Sequence, residues 1–236
     1  MILSSLQTIA EQSVDAAANT EVVPVEKTLS IMELIMGGGL GGQMIMFTLF
    51  ILSVIAIYIF IERFSAIRKA TKLDINFMNN ISDHVLNGKL EAATVLCQQT
   101  ATPVSRMIEK GISRIGKPLE DINTAIGNTG KLEVFRLETN VSTLATISGA
   151  APMIGFLGTV IGMIMAFHDM ASAGGQLDVE LLSKGIYTAM TTTVAGLIVG
   201  IFAFIAYNML VVRVDKVVHQ MEANTTEFMD LLNEPV

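Results

Sequence analysis

Hydroxyl side chains are concentrated in one long uncharged stretch near the C-terminus of this 236-residue chain. Four threonines fall within six positions there, and a fifth lies in an earlier uncharged stretch; along the chain they are Thr159, Thr188, Thr191, Thr192 and Thr193. A hydroxyl in an apolar environment can donate to a carbonyl one helical turn back, so a single threonine indicates little. Four in six positions are denser than that, and successive residues of a helix differ by about 100°. The pattern predicts a hydroxyl-lined surface formed by some of these threonines but not by all of them.

Acidic and basic side chains are absent from the stretches that carry the threonines. Residues 34–61, 139–167 and 185–212 contain no Asp, Glu, Lys or Arg. An ionisable residue in the middle of a membrane span is the usual indication of a proton path, and these segments offer none. Charged residues stand at the ends of the segments instead, where we predict that they anchor the helices at the membrane interface; these anchors are Glu62, Arg63 and Asp215.

The composition indicates a membrane protein. The chain is 51% hydrophobic and 16% charged, with a mean hydropathy of +0.57. Each uncharged segment exceeds the roughly 20 residues that a helix needs to cross a bilayer. We therefore predict an all-α membrane protein with three transmembrane helices.

The net charge of −7 argues against a nucleic-acid partner. No catalytic or metal-ligand pattern occurs, so we predict no enzyme activity, no cofactor and no metal.

Basic residues predict the orientation of the three helices. Eleven Lys or Arg residues lie from Arg63 to Arg136, whereas the first 42 residues contain only Lys27. The positive-inside rule then places the N-terminus outside and the C-terminus inside. The predicted segments are a periplasmic N-terminal segment (1–42), transmembrane helix 1 (43–62), a cytoplasmic helical region (63–138), transmembrane helix 2 (139–168), a short periplasmic connection (169–184), transmembrane helix 3 (185–212) and a cytoplasmic tail (213–236).

Proline and glycine positions predict where these helices are interrupted. Residues 37–42 form a glycine cluster, which suggests a flexible hinge before the first span. From Lys131 the helical pattern contains no Pro or Gly until Gly149, so we expect one continuous helix to enter the second span. The region 63–138 is expected to form long helical extensions of the membrane helices rather than a separate catalytic domain.

Small residues recur at helical spacing in the second and third segments. Gly155, Gly158 and Gly162 lie on one side of the second helix, and Gly196 and Gly200 have the same four-residue spacing in the third. Small residues allow membrane helices to approach closely. Packing within one chain and packing between chains of an oligomeric ring both remain open at this point.

Several sequence runs resemble the ExbB/TolQ/MotA family of proton-channel subunits, most closely its ExbB/TolQ branch. The run APMIGFLGTVIGMI (151–164) resembles that family's second-helix signature. The runs KLEVFRLE (131–138) and GIYTAMTTTVAGL (185–197) are similar to the helix leading into the second span and to the third helix. Glu62-Arg63 matches the pair that closes the first helix.

The resemblance implies a motor subunit in the bacterial inner membrane. It implies a homo-oligomeric ring, a pentamer in the ExbB-like branch, around single-span partners of the ExbD/TolR type. Proton motive force would drive work at the outer membrane through a TonB- or TolA-like protein. Thr159 and Thr193 match the pore-facing threonines of the family, and Thr188 and Thr192 are further candidates for the ion path.

One departure from the family pattern affects this expectation. Most ExbB and TolQ sequences carry a glutamate where this chain has Thr188. The carboxylate that carries the proton is then expected from the partner, and Na⁺ remains an alternative ion. A non-conducting scaffold ring that holds a single-span partner, and a TolQ-like envelope-integrity role rather than an ExbB-like one, also remain open.

Overall fold

The computed structural model describes residues 39–71, 74, 76–172 and 179–233, and within these residues all regular secondary structure is helical. The all-α prediction is therefore confirmed for the described part of the chain. The helices are α1 (Gly39–Ala70), α2 (Phe77–Leu86), α3 (Leu90–Thr100), α4 (Pro103–Ile112), α5 (Leu119–Glu138), α6 (Val141–Ser172) and α7 (Val179–Asn233).

Three parts of the described chain are long and apolar enough to cross a membrane. They begin and end at Gly41–Ala70, Leu119–Ser172 and Gly185–Asn233. The prediction of three helical stretches capable of spanning a membrane is confirmed. Most of the predicted outer segment 1–42 and the middle of the predicted connection 169–184 lie outside the described residues.

The glycine cluster near the N-terminal end of α1 differs from the predicted hinge. Its described part is helical from Gly39 onward. A Cβ atom at Gly41 would lie 3.3 Å from Cγ2 of Ile161, and one at Gly42 would lie 4.0 Å from Cγ2 of Thr188. Gly41 therefore allows α1 to approach α6 closely, whereas the distance at Gly42 is an ordinary contact. The described glycines are part of a packed helix rather than of a flexible segment.

The residues after the third span continue the same helix instead of forming a separate tail. Helix α7 has 55 residues, which corresponds to a length of about 80 Å, well beyond the thickness of a bilayer. Helices α2, α4 and α5 pack against it, and α3 packs against α2 and α4. We call Phe77–Glu138 together with Arg213–Asn233 the helical extension.

The helical extension has its own apolar interior. Phe228 of α7 is fully buried together with Ile108 of α4 and Ile126 of α5. A Cβ atom at Gly111 would lie 2.6 Å from the Phe228 ring and 2.8 Å from Ile126, so only glycine allows α4 to approach this closely. The expected extension of the membrane helices is thus a packed bundle built on the second half of α7.

The expected continuous helix into the second span is interrupted. Helix α5 ends at Glu138 and α6 begins at Val141. Between them Thr139 is extended, and Asn140 has a φ of 63°, a left-handed conformation that asparagine tolerates better than most residues. Neither residue is a helix breaker of the Pro or Gly type, which is why the helical pattern did not predict the interruption.

Candidate functional site

Helices α6 and α7 form the most extensive helix–helix contact in the structure, and glycines make it possible. A Cβ atom at Gly155 would lie 2.8 Å from the carbonyl oxygen of Thr192, and one at Gly196 would lie 2.6 Å from that of Ala151. Such distances exclude any side chain larger than a hydrogen atom, so the two backbones are in direct contact.

The other predicted packing glycines lie in the same contact. A Cβ atom at Gly158 would lie 2.8 Å from Cβ of Thr192, and one at Gly162 would lie 2.9 Å from Cβ of Ala189. Gly200 faces Pro152, whose Cγ atom would be 2.6 Å from an added Cβ. All five glycines thus face the partner helix of the same chain.

Three threonine hydroxyl groups meet around one backbone carbonyl of this contact, and we call Thr159, Thr192 and Thr193 the threonine cluster. The carbonyl oxygen of Gly155 lies 3.4 Å from Oγ1 of Thr159, 3.2 Å from Oγ1 of Thr192 and 3.1 Å from Oγ1 of Thr193. The hydroxyl groups of Thr159 and Thr193 also contact each other across the two helices. A polar cluster is therefore enclosed within two otherwise apolar helices.

The members of the threonine cluster differ in burial, and this separates their possible roles. Thr192 is 2% exposed, and its single hydroxyl proton is shared between the carbonyl oxygen of Ala189, at 2.7 Å from Oγ1, and that of Gly155, at 3.2 Å. Thr192 is therefore held inside the α6–α7 contact of a single chain. Thr159 and Thr193 are only half-buried. These two residues are therefore not fully enclosed by the helix pair.

The chemistry available to Thr159 and Thr193 is that of paired hydroxyl groups. Each hydroxyl has one donor hydrogen and two acceptor lone pairs, so the pair can relay a hydrogen bond or present oxygen atoms to a cation. A threonine hydroxyl does not ionise near neutral pH, so this pair cannot itself store a proton. A carboxylate or a basic side chain would have to come from outside residues 139–167 and 185–212.

Thr188 lies apart from the threonine cluster. It is half-buried on α7, and its Cγ2 methyl group lies on the side of Gly42 in α1. The structure therefore brings together three of the four predicted ion-path threonines and places the fourth at the contact between α1 and α7.

The predicted interface anchors have different surroundings. Glu62 and Arg63 form an ion pair of 2.6 Å between Oε1 and Nη2. Asp215 is exposed and lines a cavity of about 240 Å³, together with Glu138 and Tyr207. Arg213 stacks on the Phe64 ring at 4.1 Å, an interaction that attaches the end of the α7 span to α1.

Two features of the site were not found by sequence reasoning. The common acceptor of the threonine cluster is the carbonyl oxygen of Gly155. Every residue has a backbone carbonyl, so residue types do not indicate which carbonyl will be the acceptor. Glu133 is buried at 3% side-chain exposure and pairs with Arg106 at 2.7 Å and with Arg136 at 2.6 Å. Its three-residue spacing to Arg136 is typical of an ion pair on the surface of one helix, so the sequence did not indicate that Glu133 is buried. The burial becomes evident only from the tertiary contact with Arg106 of α4.

This arrangement, three apolar spans with a threonine cluster at a glycine-lined contact, defines a multi-pass membrane protein. Residues 99–223 match the MotA/TolQ/ExbB proton channel family, which is more than half of the chain. The chain belongs to this family, as the sequence runs at 131–138, 151–164 and 185–197 suggested.

Individual relatives carry ExbB and TolQ names. The chain is 27% identical over 177 residues to a Methanothermobacter thermautotrophicus protein named as an ExbB homolog for biopolymer transport, covering 73% of this chain and 62% of that protein. It is 35% identical over 101 residues to the Tol-Pal system protein TolQ of Haemophilus influenzae, covering 43% of this chain and 44% of that protein.

A longer alignment exists to another TolQ. The chain is 24% identical over 218 residues to the Tol-Pal system protein TolQ of Pseudomonas aeruginosa, covering 88% of this chain and 94% of that protein. By contrast, the chain spans less than two thirds of the Methanothermobacter relative. Both names occur among the relatives, so similarity supports the family without choosing between its branches.

Proposed function

We propose that this chain is the ring-forming channel subunit of an inner-membrane motor of the ExbB–ExbD–TonB or Tol–Pal type. In this role it converts proton motive force into work delivered to the outer membrane. The observation that carries the proposal is the hydroxyl pair of Thr159 and Thr193, placed at a glycine-packed helix contact in a member of a proton channel family. The work available is about 2.3 kcal/mol per elementary charge per 100 mV.

The proposed orientation places the helical extension in the cytoplasm of a bacterium. The basic residues support it, because eleven Lys or Arg residues lie from Arg63 to Arg136. The N-terminus and the connection between α6 and α7 then face the periplasm. The threonine cluster lies within the membrane, between two aqueous compartments that differ in proton potential.

A single-span partner of the ExbD/TolR type supplies the titratable carboxylate in this proposal. Residues 34–61, 139–167 and 185–212 carry no Asp, Glu, Lys, Arg or His, so a conducted proton needs a carrier from another chain. In this proposal the hydroxyl groups of the half-buried residues Thr159 and Thr193 donate to that carboxylate when it is charged and accept from it when it is protonated. Thr192 stabilises the contact between α6 and α7. Thr188 is a further residue of the ion path, at the contact between α7 and α1.

A homo-oligomeric ring, a pentamer in this branch, would surround that partner. Because the five glycines are used between α6 and α7 of the same chain, contacts between copies must use other surfaces. Large apolar side chains such as Met153, Phe156 and Phe204 are exposed on these helices. They are suited to contact either lipid or a neighbouring copy.

The runner-up function is a helical ring that holds a single-span partner without conducting ions. The lack of Asp, Glu, Lys, Arg and His in residues 34–61, 139–167 and 185–212 favours it over an enzyme or a substrate transporter. The two functions differ in one measurable property, because only the conducting ring passes protons or Na⁺ in the presence of its partner.

Native mass spectrometry tests the assembly that the proposal requires. The chain would be purified in detergent, alone and after co-expression with single-span ExbD- or TolR-like proteins from the same genome. We expect a ring of several copies, five in the ExbB-like branch, that retains the partner. A monomer or dimer that binds none of these partners would contradict the proposed function.

A further inference from the structure

Arg63 of α1 reaches beyond its own helix to the end of α5. Its Nη1 atom donates to the carbonyl oxygen of Arg136 at 3.2 Å, while Nη2 pairs with Glu62 at 2.6 Å. The side chain is only 14% exposed. The planar guanidinium group thus binds two acceptors at once, one on its own helix and one on another, which a lysine ammonium group does less well.

The carbonyl that Arg63 binds belongs to the last turn of α5. The final four carbonyl groups of a helix have no partner within it and need donors from elsewhere. The Phe135 carbonyl accepts from the Thr139 hydroxyl at 2.9 Å, and the Arg136 carbonyl accepts from Arg63. The end of α5 is therefore capped partly by a residue from a different helix, 73 positions earlier in the chain.

The side chains of the same turn of α5 form further ion pairs. The Arg136 guanidinium donates to Oε1 of Glu133 at 2.6 Å, and Arg106 of α4 donates to Oε2 at 2.7 Å. Glu133 is buried, so both of its oxygen atoms need these partners. Arg136 is thus fixed through its backbone by α1 and through its side chain by a carboxylate that also binds α4.

We propose that Arg63 and Glu133 are positioning residues for the joint between α5 and α6. Together they determine that α5 ends at Glu138 and hold the direction in which α6 leaves the helical extension. Movement of α1 is thereby coupled to the orientation of the helical extension. The proposal concerns the fold of this chain and does not depend on what the channel conducts.

An interfacial anchor would behave differently. An anchoring arginine extends its charged group toward lipid phosphates, and lysine serves the same purpose. Arg63 as an anchor would therefore tolerate Arg63→Lys fully, and its removal would leave the α5–α6 joint unchanged. If Arg63 instead caps the end of α5 from another helix, a role that we call a tertiary cap, it must make both contacts at once. Arg63→Lys would then keep only part of the order of the α5–α6 joint that Arg63→Met removes.

Distance measurements between spin labels on α5 and α6 separate the two roles. Labels at Asn128→Cys and Thr146→Cys lie on exposed polar positions of the two helices, 18 residues apart in sequence. A continuous helix would separate their Cα atoms by about 27 Å. The labelled chain would be reconstituted with an excess of unlabelled chain so that only distances within one chain are recorded.

We expect Arg63→Met to broaden the distance distribution about twofold, because the joint then samples orientations that the tertiary cap excludes. Arg63→Lys should give an intermediate width. Arg68→Met is the matched control, since it removes an exposed arginine from the same helix five residues later, and it should leave the distribution unchanged. Glu133→Gln, which weakens the contacts of the Arg136 side chain, should broaden it as well.

Helical content and elution volume, measured for every variant, would establish that the compared chains are folded. If folded Arg63→Met and folded Glu133→Gln both gave the distribution of the parent chain, the positioning role would be wrong. If Arg63→Met did not yield folded protein, Glu133→Gln alone would decide by the same criterion.

Discussion

The side-chain hydroxyl groups of Thr159 and Thr193 meet across the contact between α6 and α7, beside the carbonyl oxygen of Gly155. Neither residue could reach the other if the helices were separated by ordinary side chains. The glycines at 155 and 196 remove those side chains and let the backbones approach. The polar pair and the small residues around it are thus one structural unit.

A methyl group at Gly155 should disrupt this unit. It would lie 2.8 Å from the Thr192 carbonyl oxygen and 3.1 Å from Cα of Gly196, both backbone atoms that cannot turn aside. We expect Gly155→Ala to destabilise the chain by about 2 kcal/mol through overpacking. Thermal unfolding in detergent, followed by loss of helical circular dichroism, would report this as a lower Tm.

Gly149→Ala provides the control for that experiment. Gly149 lies on the same helix, but no neighbouring atom lies within 4 Å of an added Cβ. Its Tm should stay at or above that of the parent, because alanine favours a helix over glycine. Equal Tm values for the two alanine variants would show that the α6–α7 contact does not depend on glycine at 155.

The buried carboxylate of Glu133 predicts an asymmetric response to substitution. Glu133→Gln removes a buried charge and leaves Arg106 and Arg136, whose side chains are 41% and 58% exposed and can be rehydrated. We expect it to cost about 1 kcal/mol. The double variant Arg106→Met/Arg136→Met instead leaves a buried carboxylate without a partner, which costs about 3 kcal/mol.

Thermal unfolding of the parent and both variants would check this order. Exposed pairs on the surface contribute little, so Glu222→Gln, which affects an exposed contact with His219, should leave Tm unchanged. A larger loss of Tm for Glu133→Gln than for the double arginine variant would contradict the burial of the carboxylate.

Much of this fold could be predicted because it depends on local composition. The three spans follow from uncharged runs, and the packing glycines from their four-residue spacing. The interruption at Thr139–Asn140 could not be predicted in the same way. Its cause includes Arg63, a donor from a distant part of the chain, and local helix propensity carries no information about such a cap.

The candidate site was predictable in part. The threonines stood out by their density, and the family resemblance selected Thr159 and Thr193. Separating Thr192 and Thr188 required the positions of neighbouring helices, since these two residues share one face of α7. Thr192 is covered by the glycines of α6, whereas Thr188 lies toward Gly42 of α1.

The thiol of Cys97 should be unreactive in the folded chain. Cys97 is fully buried on α3, and burial, with a smaller contribution from the nearby charge of Glu109, raises the pKa of its thiol from 9.0 to about 12. A maleimide reagent at pH 8 should label it only after denaturation. Rapid labelling of the native chain at that pH would show that α3 opens.

The raised pKa of Cys97 also has a consequence for stability. The folded chain keeps the thiol proton to a higher pH than the unfolded chain, so the unfolded state binds fewer protons above pH 9.0. Stability should therefore fall as the pH rises from 9.0 toward 12, and Cys97→Ala should remove this contribution. Tm measured across that range for both chains would check it.

Proton flux through the reconstituted complex tests the central claim most directly. Liposomes would contain this chain with the proposed single-span partner of the ExbD/TolR type, and internal pH would be followed after a membrane potential is imposed. Thr159→Val keeps the shape of the side chain and removes its hydroxyl. Thr191→Val is the control, because the Thr191 hydroxyl donates only to the Tyr187 carbonyl of its own helix.

We predict that both variants assemble like the parent, that Thr191→Val conducts normally, and that the proton flux of Thr159→Val falls to the level of protein-free liposomes. Parental flux through assembled Thr159→Val would contradict an ion path along the threonine pair.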